Sequence, residues 1–480
     1  MRSASLLLAC AALSACSVGP DFSRPQTASA ERWASPRGDV PSQPASAPLE
    51  ARWWTLYHDP LLDDLQHRVV AANLDLRVAD AHLRQSRAIR QTLGGDALPS
   101  VDADASYQRR RNSEVGLTDA SGKSGKDNFN QADAGFDLTW ELDLWGRVRR
   151  ELEAADAQVL ASEESRRDVL VSVLAETARD YIQLRAEQQR AAIIDDNLAI
   201  ARRSLELTQL RRADGVATAL EVAEAQAQVA TIESRLPDSQ KRQARLINAL
   251  GYLLGEMPGA LNAQLAQAQP IPQAPQAVPL GLPSELARRR PDIRRAEANL
   301  HAATASIGVA KADFYPRISL NGTFGFQALQ MSNFGDWNSR TFGIGPSLSL
   351  PIFEGGRLKG MLALREAQQQ EAAIAYRQTV LNAWREVDDT LSDYNADQRQ
   401  LASLDQAVEH GRTALENARE QYKAGAVDFL NVLSTQRELL AAQEQQVRSR
   451  EAVALNLTLL YKALGGGWQA SEGSAPVASM

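Results

Sequence analysis

The sequence predicts a mixed α/β membrane protein in which short strands lead directly into very long helices. The clearest such junction lies in residues 342–357. Its first half alternates large apolar with small or polar side chains, a period of two that is typical of a strand with one apolar face. Gly355 and Gly356 end this pattern, and from Arg357 onward the chain is rich in Ala, Leu, Gln, Glu and Arg, which favour helix.

An earlier part of the chain repeats this junction. Alternation over residues 136–144 is followed by Gly146-Arg147 and a second long helical stretch, and the glycines are 356 − 146 = 210 positions apart. The same offset relates further pairs: Gly215 and Gly425, Leu254 and Leu464, Gly255 and Gly465. Upstream of the strands the offset is 316 − 99 = 217, between Pro99 and Pro316. We therefore predict an internal two-fold repeat of a helix–strand–strand–helix–helix unit.

Period and capping residues give the elements of each unit. Asp59 and Pro60 begin a helical stretch that runs to about Leu93, with a break near Asn73. The helix over residues 147–211 would extend about 100 Å at 1.5 Å per residue, and after the turn at Gly215 one helix returns. The predicted strands are residues 100–111 and 133–142 in the first unit, and 318–326 and 342–350 in the second.

Composition excludes several classes of function. The 480 residues carry a formal net charge of −7 with dispersed Lys and Arg, which argues against a nucleic-acid partner. No apolar stretch reaches the roughly 18 residues of a membrane helix, so any bilayer contact must come through strands or a lipid. The five histidines show no ligand spacing, and no nucleophile or acid pair forms a catalytic pattern. We expect no metal, no cofactor and no enzyme activity.

The first 16 residues resemble a bacterial lipoprotein signal. Arg2 precedes a short apolar core, and Leu13-Ser14-Ala15-Cys16 closes it. We expect cleavage before Cys16 and acylation of that cysteine, with palmitate among its acyl groups. By analogy with bacterial lipoproteins, Ser17 in the next position favours sorting to the outer membrane. The alternative is an ordinary secretory signal with an incidental cysteine.

Breaks in periodicity divide the chain into six segments. Residues 17–50 and 258–283 each hold six prolines, which indicates extended or irregular structure. The predicted segments are a signal peptide (1–15), a lipidated N-terminal tether (16–58), the first repeat (59–257), a proline-rich linker (258–283), the second repeat (284–467) and a flexible tail (468–480). Within the tether, residues 17–50 are expected to be poorly ordered, and ordered structure is expected to start at Trp53.

The strands also predict an assembly. Strands of about ten residues are long enough to cross a bilayer, but four strands cannot close, and open edges are not tolerated in lipid. Several chains must therefore contribute, and three would give 3 × 4 = 12 strands. Because each strand pair continues into long helices, closing the barrel also gathers the helices into a tube. The residues alone thus predict an oligomeric conduit, part β-barrel and part helical cylinder.

Five motifs point to a known family. They are residues 16–22, Trp53-Trp54 with Asp59-Pro60, residues 281–297, residues 307–320 and residues 345–357. Together they resemble outer-membrane factor lipoproteins, the NodT/OprM-like branch of the TolC superfamily, over nearly the whole chain after the signal. The resemblance implies a TolC-like homotrimer, with a 12-stranded barrel in the outer membrane of a Gram-negative bacterium continuous with a long α-helical barrel in the periplasm.

The same resemblance implies a function. Such proteins are the passive exit ducts of tripartite efflux systems that act in multidrug resistance. A periplasmic adaptor and an inner-membrane pump, often of the resistance-nodulation-division type, are the implied partners, together with outer-membrane lipid. Two alternatives stay open. One is a lipid-anchored periplasmic coiled-coil scaffold or adaptor, which the alternating strands oppose, and the other is a type I protein-secretion duct.

The turns after the long helices are the candidate functional sites. In this family an acidic ring often narrows the tube just after the second turn, but aligned on Gly425 those acidic positions hold Asn and Ser, so this sequence departs from the pattern. The candidate constriction residues are Asp428, Asn431 and Ser434, and in the first repeat Glu221 and Glu224. The alternative is that these carboxylates are ordinary solvated helix charges. The residues expected to dock the adaptor are Gly215, Val216, Gly425 and Ala426.

One further motif has a structural and a binding interpretation. Residues 288–295 hold five arginines around Pro291 and Asp292. A binding patch is one interpretation, but Pro at the first turn and Asp near the amino end favour a helix start.

Overall fold

The computed structural model describes residues 17–25, 50–111, 113, 128–275 and 286–469. The predicted signal peptide, Cys16 and most of the predicted tail lie outside the described residues. The helices are α1 (Pro60–Ala72), α2 (Leu74–Gly95), α3 (Arg147–Ala213), α4 (Ala219–Glu233), α5 (Leu236–Leu253), α6 (Asn262–Leu265), α7 (Leu286–Arg289), α8 (Pro291–Ala312), α9 (Arg357–Lys423) and α10 (Phe429–Ala463). The strands are β1 (Ser100–Arg110), β2 (Phe129–Glu141), β3 (Arg317–Ala328) and β4 (Arg340–Ser349).

The helix boundaries confirm the internal repeat. Helices α3 and α9 each have 67 residues, and their first residues are 357 − 147 = 210 positions apart. Helices α2 and α8 each have 22 residues and start 291 − 74 = 217 positions apart. Both offsets equal those read from the sequence. No helix in the described part of the chain is both long and apolar enough to cross a membrane.

The returning helix differs between the two repeats. In the second it is the continuous 35-residue α10, but in the first it is divided into α4 and α5 at Ser234 and Arg235. Pro237 lies in the first turn of α5. Proline has no backbone N–H to donate and its ring clashes with the preceding turn, so it is tolerated at a helix start but not in the interior. The prediction of a single returning helix is therefore wrong for the first repeat.

The four strands form one antiparallel sheet in the order β1-β2-β3-β4. The β2–β3 ladder joins the hairpin of the first repeat to that of the second, with Phe136 opposite Phe324 and Gly135 opposite Gly325. Strands β1 and β4 are the two edges of this sheet. The strands end within three residues of their predicted limits, except that β2 starts four residues earlier than predicted.

The register gives the sheet one polar and one apolar face, because directly opposed residues share a face. Phe136, Phe324 and Phe342 lie across three strands on the apolar face and are all exposed. Asp102 and Asp137 are opposed on the polar face. Large exposed aromatic residues on one face of a sheet are typical of a surface that contacts lipid.

The sheet belongs to a unit formed by the described residues within 1–26, 82–163 and 295–377. In this unit the N-terminal segment, residues 17–25, is packed against its neighbours. Val18 N–H donates to the Trp145 carbonyl at 3.0 Å, and the Arg150 guanidinium pairs with Asp21 at 2.6 Å. The Phe22 ring stacks on His301 with centroids 4.4 Å apart. The prediction of a poorly ordered tether is wrong for residues 17–25, because fixed partners in α3, in α8 and in the connection between β2 and α3 hold them.

The second unit comprises the described residues within 27–81, 164–294 and 378–480. In its core the Trp53 ring stacks on Tyr461, with centroids 5.8 Å apart and planes at 9°. Trp468, assigned from sequence to the flexible tail, is buried, and its indole N–H donates to the Arg289 carbonyl at 3.1 Å. Two guanidinium groups, of Arg167 and Arg294, lie 4.7 and 5.5 Å from its ring. The packed core thus extends at least to Trp468.

Part of the predicted linker is also held in place. It contains the single-turn helix α6, after which the Gln267 carbonyl accepts a hydrogen bond from buried Arg185 at 2.8 Å. Gln188 donates to the Leu265 carbonyl at 2.7 Å. Side chains of helix α3 therefore donate hydrogen bonds to backbone carbonyls of this segment, which lies mostly outside regular secondary structure.

Candidate functional site

Two tight turns, one after each long helix, form the tips where the candidate functional residues lie. In the first, Val216 N–H donates to the carbonyl five residues earlier at 2.8 Å, and Gly215 has a φ of +78°. In the second, Ala426 N–H donates in the same way at 2.9 Å, and Gly425 has a φ of +74°. Residues that have a side chain rarely adopt such a positive φ, so glycine ends both helices. All four predicted docking residues are exposed.

The candidate acids cap the helices that return from the tips. Thr218 and Glu221 form a capping box, in which the Glu221 N–H donates to the Thr218 hydroxyl at 3.2 Å and the Glu221 carboxylate accepts from the Thr218 N–H at 2.5 Å. At the second tip Asp428 Oδ1 accepts from the backbone N–H and the side-chain amide of Asn431, at 3.2 and 3.0 Å. Both carboxylates thus stabilise helix ends, whatever else they do.

The two remaining candidates lie one turn further along. Glu224 is three residues beyond Glu221, on the same face of α4, and is half-buried. Ser434 is exposed, and its hydroxyl donates to the Asn431 carbonyl at 3.1 Å. Glu224 is therefore the candidate acid that lies beyond the cap, inside the returning helix.

An arginine–tyrosine contact joins the two tips. The Arg211 guanidinium donates to the Tyr422 carbonyl, and its carbon lies 4.3 Å from the centre of the Tyr422 ring. The Tyr422 ring in turn contacts that of Phe429, with centroids 5.4 Å apart. Ala225 of α4 packs in the same buried cluster as Phe429 and Val432 of α10. The first and second tips are therefore one packed body.

A repulsive pair lies close to this contact. On α9, burial and the neighbouring Arg203 of α3 both lower the pKa of Arg419. The long helices thus bring two like charges together before the tips, while Arg211 and Tyr422 join the two tips. Sequence reasoning missed both pairs. For Arg211 the one signal was its place in the last turn of α3, and basic residues are common there because they interact favourably with the helix dipole.

The polar face of the sheet carries a band of carboxylates. Asp102 lies opposite Asp137, and Asp133 accepts hydrogen bonds from Gln131 and Gln327, at 3.0 and 2.7 Å. Like charges directly opposed on a sheet repel one another, and water on this face would screen them. The face opposite to the lipid-contacting aromatic residues is therefore suited to line an aqueous passage.

The arginine-rich motif is structural. Helix α8 begins at Pro291, and Arg290 just before it is buried and makes a bidentate pair with Asp292, at 3.0 and 2.7 Å. Its guanidinium also donates to the Ala463 carbonyl at 2.8 Å and pairs with Glu386 at 2.8 Å. The helix-start interpretation is confirmed. Over the described ranges, no group of three or more His, Cys, Asp or Glu side chains is arranged to hold a metal ion.

Comparison with known proteins agrees with this architecture. Residues 65–256 and 282–466 match the family described as "Outer membrane efflux protein". The chain is 33% identical over 465 residues to the probable efflux pump outer membrane protein TtgC of Pseudomonas putida, covering 96% of this chain and 95% of the relative. It is also 33% identical to outer membrane protein OprJ of Pseudomonas aeruginosa, covering 97% and 95%.

A solved structure extends this likeness to the fold. The structure of the outer-membrane channel OprN superposes with a TM-score of 0.89 at 37% identity, covering 95% of this chain and all of that one. The two segments that match the family correspond to the two repeats seen in the helices and strands. The chain therefore belongs to the outer membrane efflux protein family and is an outer-membrane channel protein.

Proposed function

We propose that three copies of this chain form one closed duct through the outer membrane and into the periplasm. The observation that carries the proposal is the four-stranded sheet, which has an apolar face and two open edges, β1 and β4. Backbone donors and acceptors left unpaired at those edges would be costly in lipid. Pairing β4 of one copy with β1 of the next satisfies them, and three copies supply a barrel of twelve strands.

The duct is passive, and its partners supply energy and cargo. Relatives of this chain are named as components of efflux pumps, which supports a tripartite system with a periplasmic adaptor and an inner-membrane pump, of the resistance-nodulation-division type. The exposed turns at Gly215, Val216, Gly425 and Ala426 are the proposed docking surface for the adaptor. Small residues there let a partner helix end approach the backbone closely.

The proposed lipid anchor at Cys16 fits the packing of the residues that follow it. The described segment starts at Ser17, and Val18 is hydrogen-bonded beside Trp145, where β2 leads into α3. An acyl chain on Cys16 would therefore start near the helix-side end of the sheet. This is the end that faces the periplasmic leaflet if the helices extend into the periplasm.

Removing this chain from its host is expected to raise the accumulation of a fluorescent cationic dye several-fold, because the pump then has no exit through the outer membrane. The measurement is steady-state dye fluorescence in energised cells, with and without the wild-type chain supplied in trans. A host that still exports dye but no longer secretes a particular protein would favour the type I secretion duct over the efflux duct.

We further propose that the tips form the gate, with Glu224 as the charge that faces the passage and Asp428 as a cap. Three observations support this assignment: Glu221 and Asp428 are engaged by helix N-termini, Glu224 lies beyond the cap, and Arg211 and Tyr422 hold the tips together. Rings of charged side chains at a constriction select permeants by charge. The predicted acidic constriction is thus assigned to the first repeat, with Asn431 and Ser434 neutral.

Substitutions that keep the cap separate the two roles. Asp428→Asn retains an N-cap acceptor and is expected to leave the cation preference of single channels in planar bilayers unchanged, whereas Glu224→Gln lowers it. Asp428→Ala removes the cap and is expected to destabilise the tip by about 1 kcal/mol. Equal ion selectivity in wild type and Glu224→Gln, with a change in Asp428→Asn, would assign the ring to Asp428 instead.

A further inference from the structure

Charged side chains are distributed unequally between the two faces of the sheet. The five carboxylates within the four strands all lie on the polar face: Asp102, Asp104, Asp133, Asp137 and Glu141. The apolar face carries two charged residues within these strands, and both are arginines. They are Arg109, opposite Asn130, and Arg340, opposite Phe326. Every charged residue that the strands place on the lipid-facing side is therefore positively charged.

Both arginines lie at the hairpin end of the sheet. Arg109 is the penultimate residue of β1, just before the β1–β2 hairpin loop, and Arg340 is the first residue of β4, just after the β3–β4 loop. Further along β4 the same face continues with Phe342 and Ile344, which are 74% and 81% exposed. Each guanidinium thus sits where the apolar surface ends. The long helices begin at the other end of the sheet, after β2 and β4.

Arg340 is held in position by an aromatic neighbour. Its guanidinium carbon lies 4.5 Å from the centre of the Trp337 ring, and its Nη1 donates to the Trp337 carbonyl at 2.5 Å. Trp337 is itself 66% exposed. Tryptophan is enriched at the headgroup level of membranes, and arginine places its charge there while its stem covers apolar surface. The pair therefore marks the level of the headgroups at the hairpin end.

We propose that Arg109 and Arg340 bind the phosphate groups of a phosphorylated glycolipid in the outer leaflet, with Trp337 packing on its sugar or upper acyl region. The planar guanidinium fork matches phosphate oxygens, and the strands place no carboxylate on this face to compete. The inference rests on the proposed trimer, in which β4 of one copy lies beside β1 of the next. Arg340 of one copy and Arg109 of the next then lie on the same interface between copies, and the bound lipid stabilises this interface.

The test uses the full chain as a detergent-solubilised oligomer, with diphosphoryl lipid A as the probe and the same glycolipid without phosphates as its control. Diphosphoryl lipid A is expected to raise the midpoint of thermal unfolding of the wild type by several degrees, because it binds the folded state only. The double variant Arg109→Gln/Arg340→Gln is expected to lose most of this shift. Arg110→Gln is the matched control, since Arg110 is adjacent but lies on the polar face.

Three results would overturn the proposal. They are an equal shift with the dephosphorylated glycolipid, an equal loss of the shift in Arg110→Gln, and no shift for an intact wild-type oligomer. If the double variant assembles poorly, Arg340→Lys gives a second comparison, because it keeps the charge but loses the fork and is expected to reduce the shift only in part. Native mass measured on the same samples separates these outcomes from failure of the trimer, which a wild-type monomer would reveal.

Discussion

Replacing Arg290 with methionine is expected to lower the free energy of unfolding by about 3 kcal/mol, because it leaves buried and half-buried acceptors without their donor. Burial lowers the pKa of Arg290, but hydrogen bonding to Asp292 and the charge of Glu386 raise it by more than burial lowers it. The net shift of the pKa is therefore upward, and the side chain stays charged. One guanidinium thus joins the start of α8 to the end of α10, through the Ala463 carbonyl, and to the middle of α9.

The first repeat contains a simpler version of the same contact. Asn73, at the position equivalent to Arg290, donates its side-chain amide to the Leu253 carbonyl at 2.8 Å, and Leu253 is equivalent to Ala463. The neutral amide reaches the end of α5, and its oxygen accepts from the Leu76 N–H of α2 at 3.0 Å. The arginine therefore adds a charged link that is specific to the second repeat, and this link accounts for the large expected effect.

Arg288→Met is the matched control for Arg290→Met, because Arg288 belongs to the same run of arginines but is exposed. It is expected to change the stability by less than about 0.5 kcal/mol. The measurement is the urea concentration at the midpoint of unfolding, with far-ultraviolet circular dichroism as the probe of folded structure. Similar midpoints for Arg288→Met and Arg290→Met would contradict the role assigned to the buried guanidinium.

Replacing Gly325 with alanine is expected to abolish most of the oligomer, although the change adds one methyl group. Gly325 lies opposite Gly135 in the ladder that joins the two repeats. A Cβ at Gly325 would lie 2.6 Å from the Ala134 carbonyl oxygen and 2.8 Å from the Gly135 Cα, both backbone atoms that cannot rotate away. The strands would have to separate, and a barrel closed by backbone hydrogen bonds does not tolerate a gap in lipid.

Gly322→Ala is the matched control on the same strand. A Cβ at Gly322 would meet the Leu138 Cβ at 3.7 Å, an ordinary contact. This variant is expected to assemble as the wild type does, and the measurement is the native mass of protein extracted from outer membranes in mild detergent. Equal amounts of oligomer in Gly325→Ala and Gly322→Ala would mean that the β2–β3 ladder is not under the steric constraint described here.

Local sequence signals predicted most of the fold. Gly146 and Gly356 mark the starts of the long helices, and Gly215 and Gly425 mark their ends. Each of these glycines has a positive φ, which residues with a side chain rarely adopt. The constant offset between repeats then fixed the equivalence of α3 and α9. These signals depend on a few neighbouring residues, so they are visible in the sequence.

Contacts between distant residues were not predictable in this way. The packing of residues 17–25 depends on Arg150 and His301, more than 100 positions away, and proline-rich composition indicates irregular backbone, not absence of partners. The burial of Trp468 was missed for the same reason. At the candidate site, sequence spacing gave the caps and turns, but it could not reveal that Arg211 reaches Tyr422 across the two tips.

The central claim is that three copies share one barrel, and the native mass of the wild-type protein extracted from outer membranes in mild detergent tests it most directly. We predict a mass of three chains, each carrying one acylated Cys16. A monomer that is released simply by removing the acyl anchor would contradict this account, because its strands would then not span the bilayer. The alternative of a lipid-anchored periplasmic scaffold would explain that result.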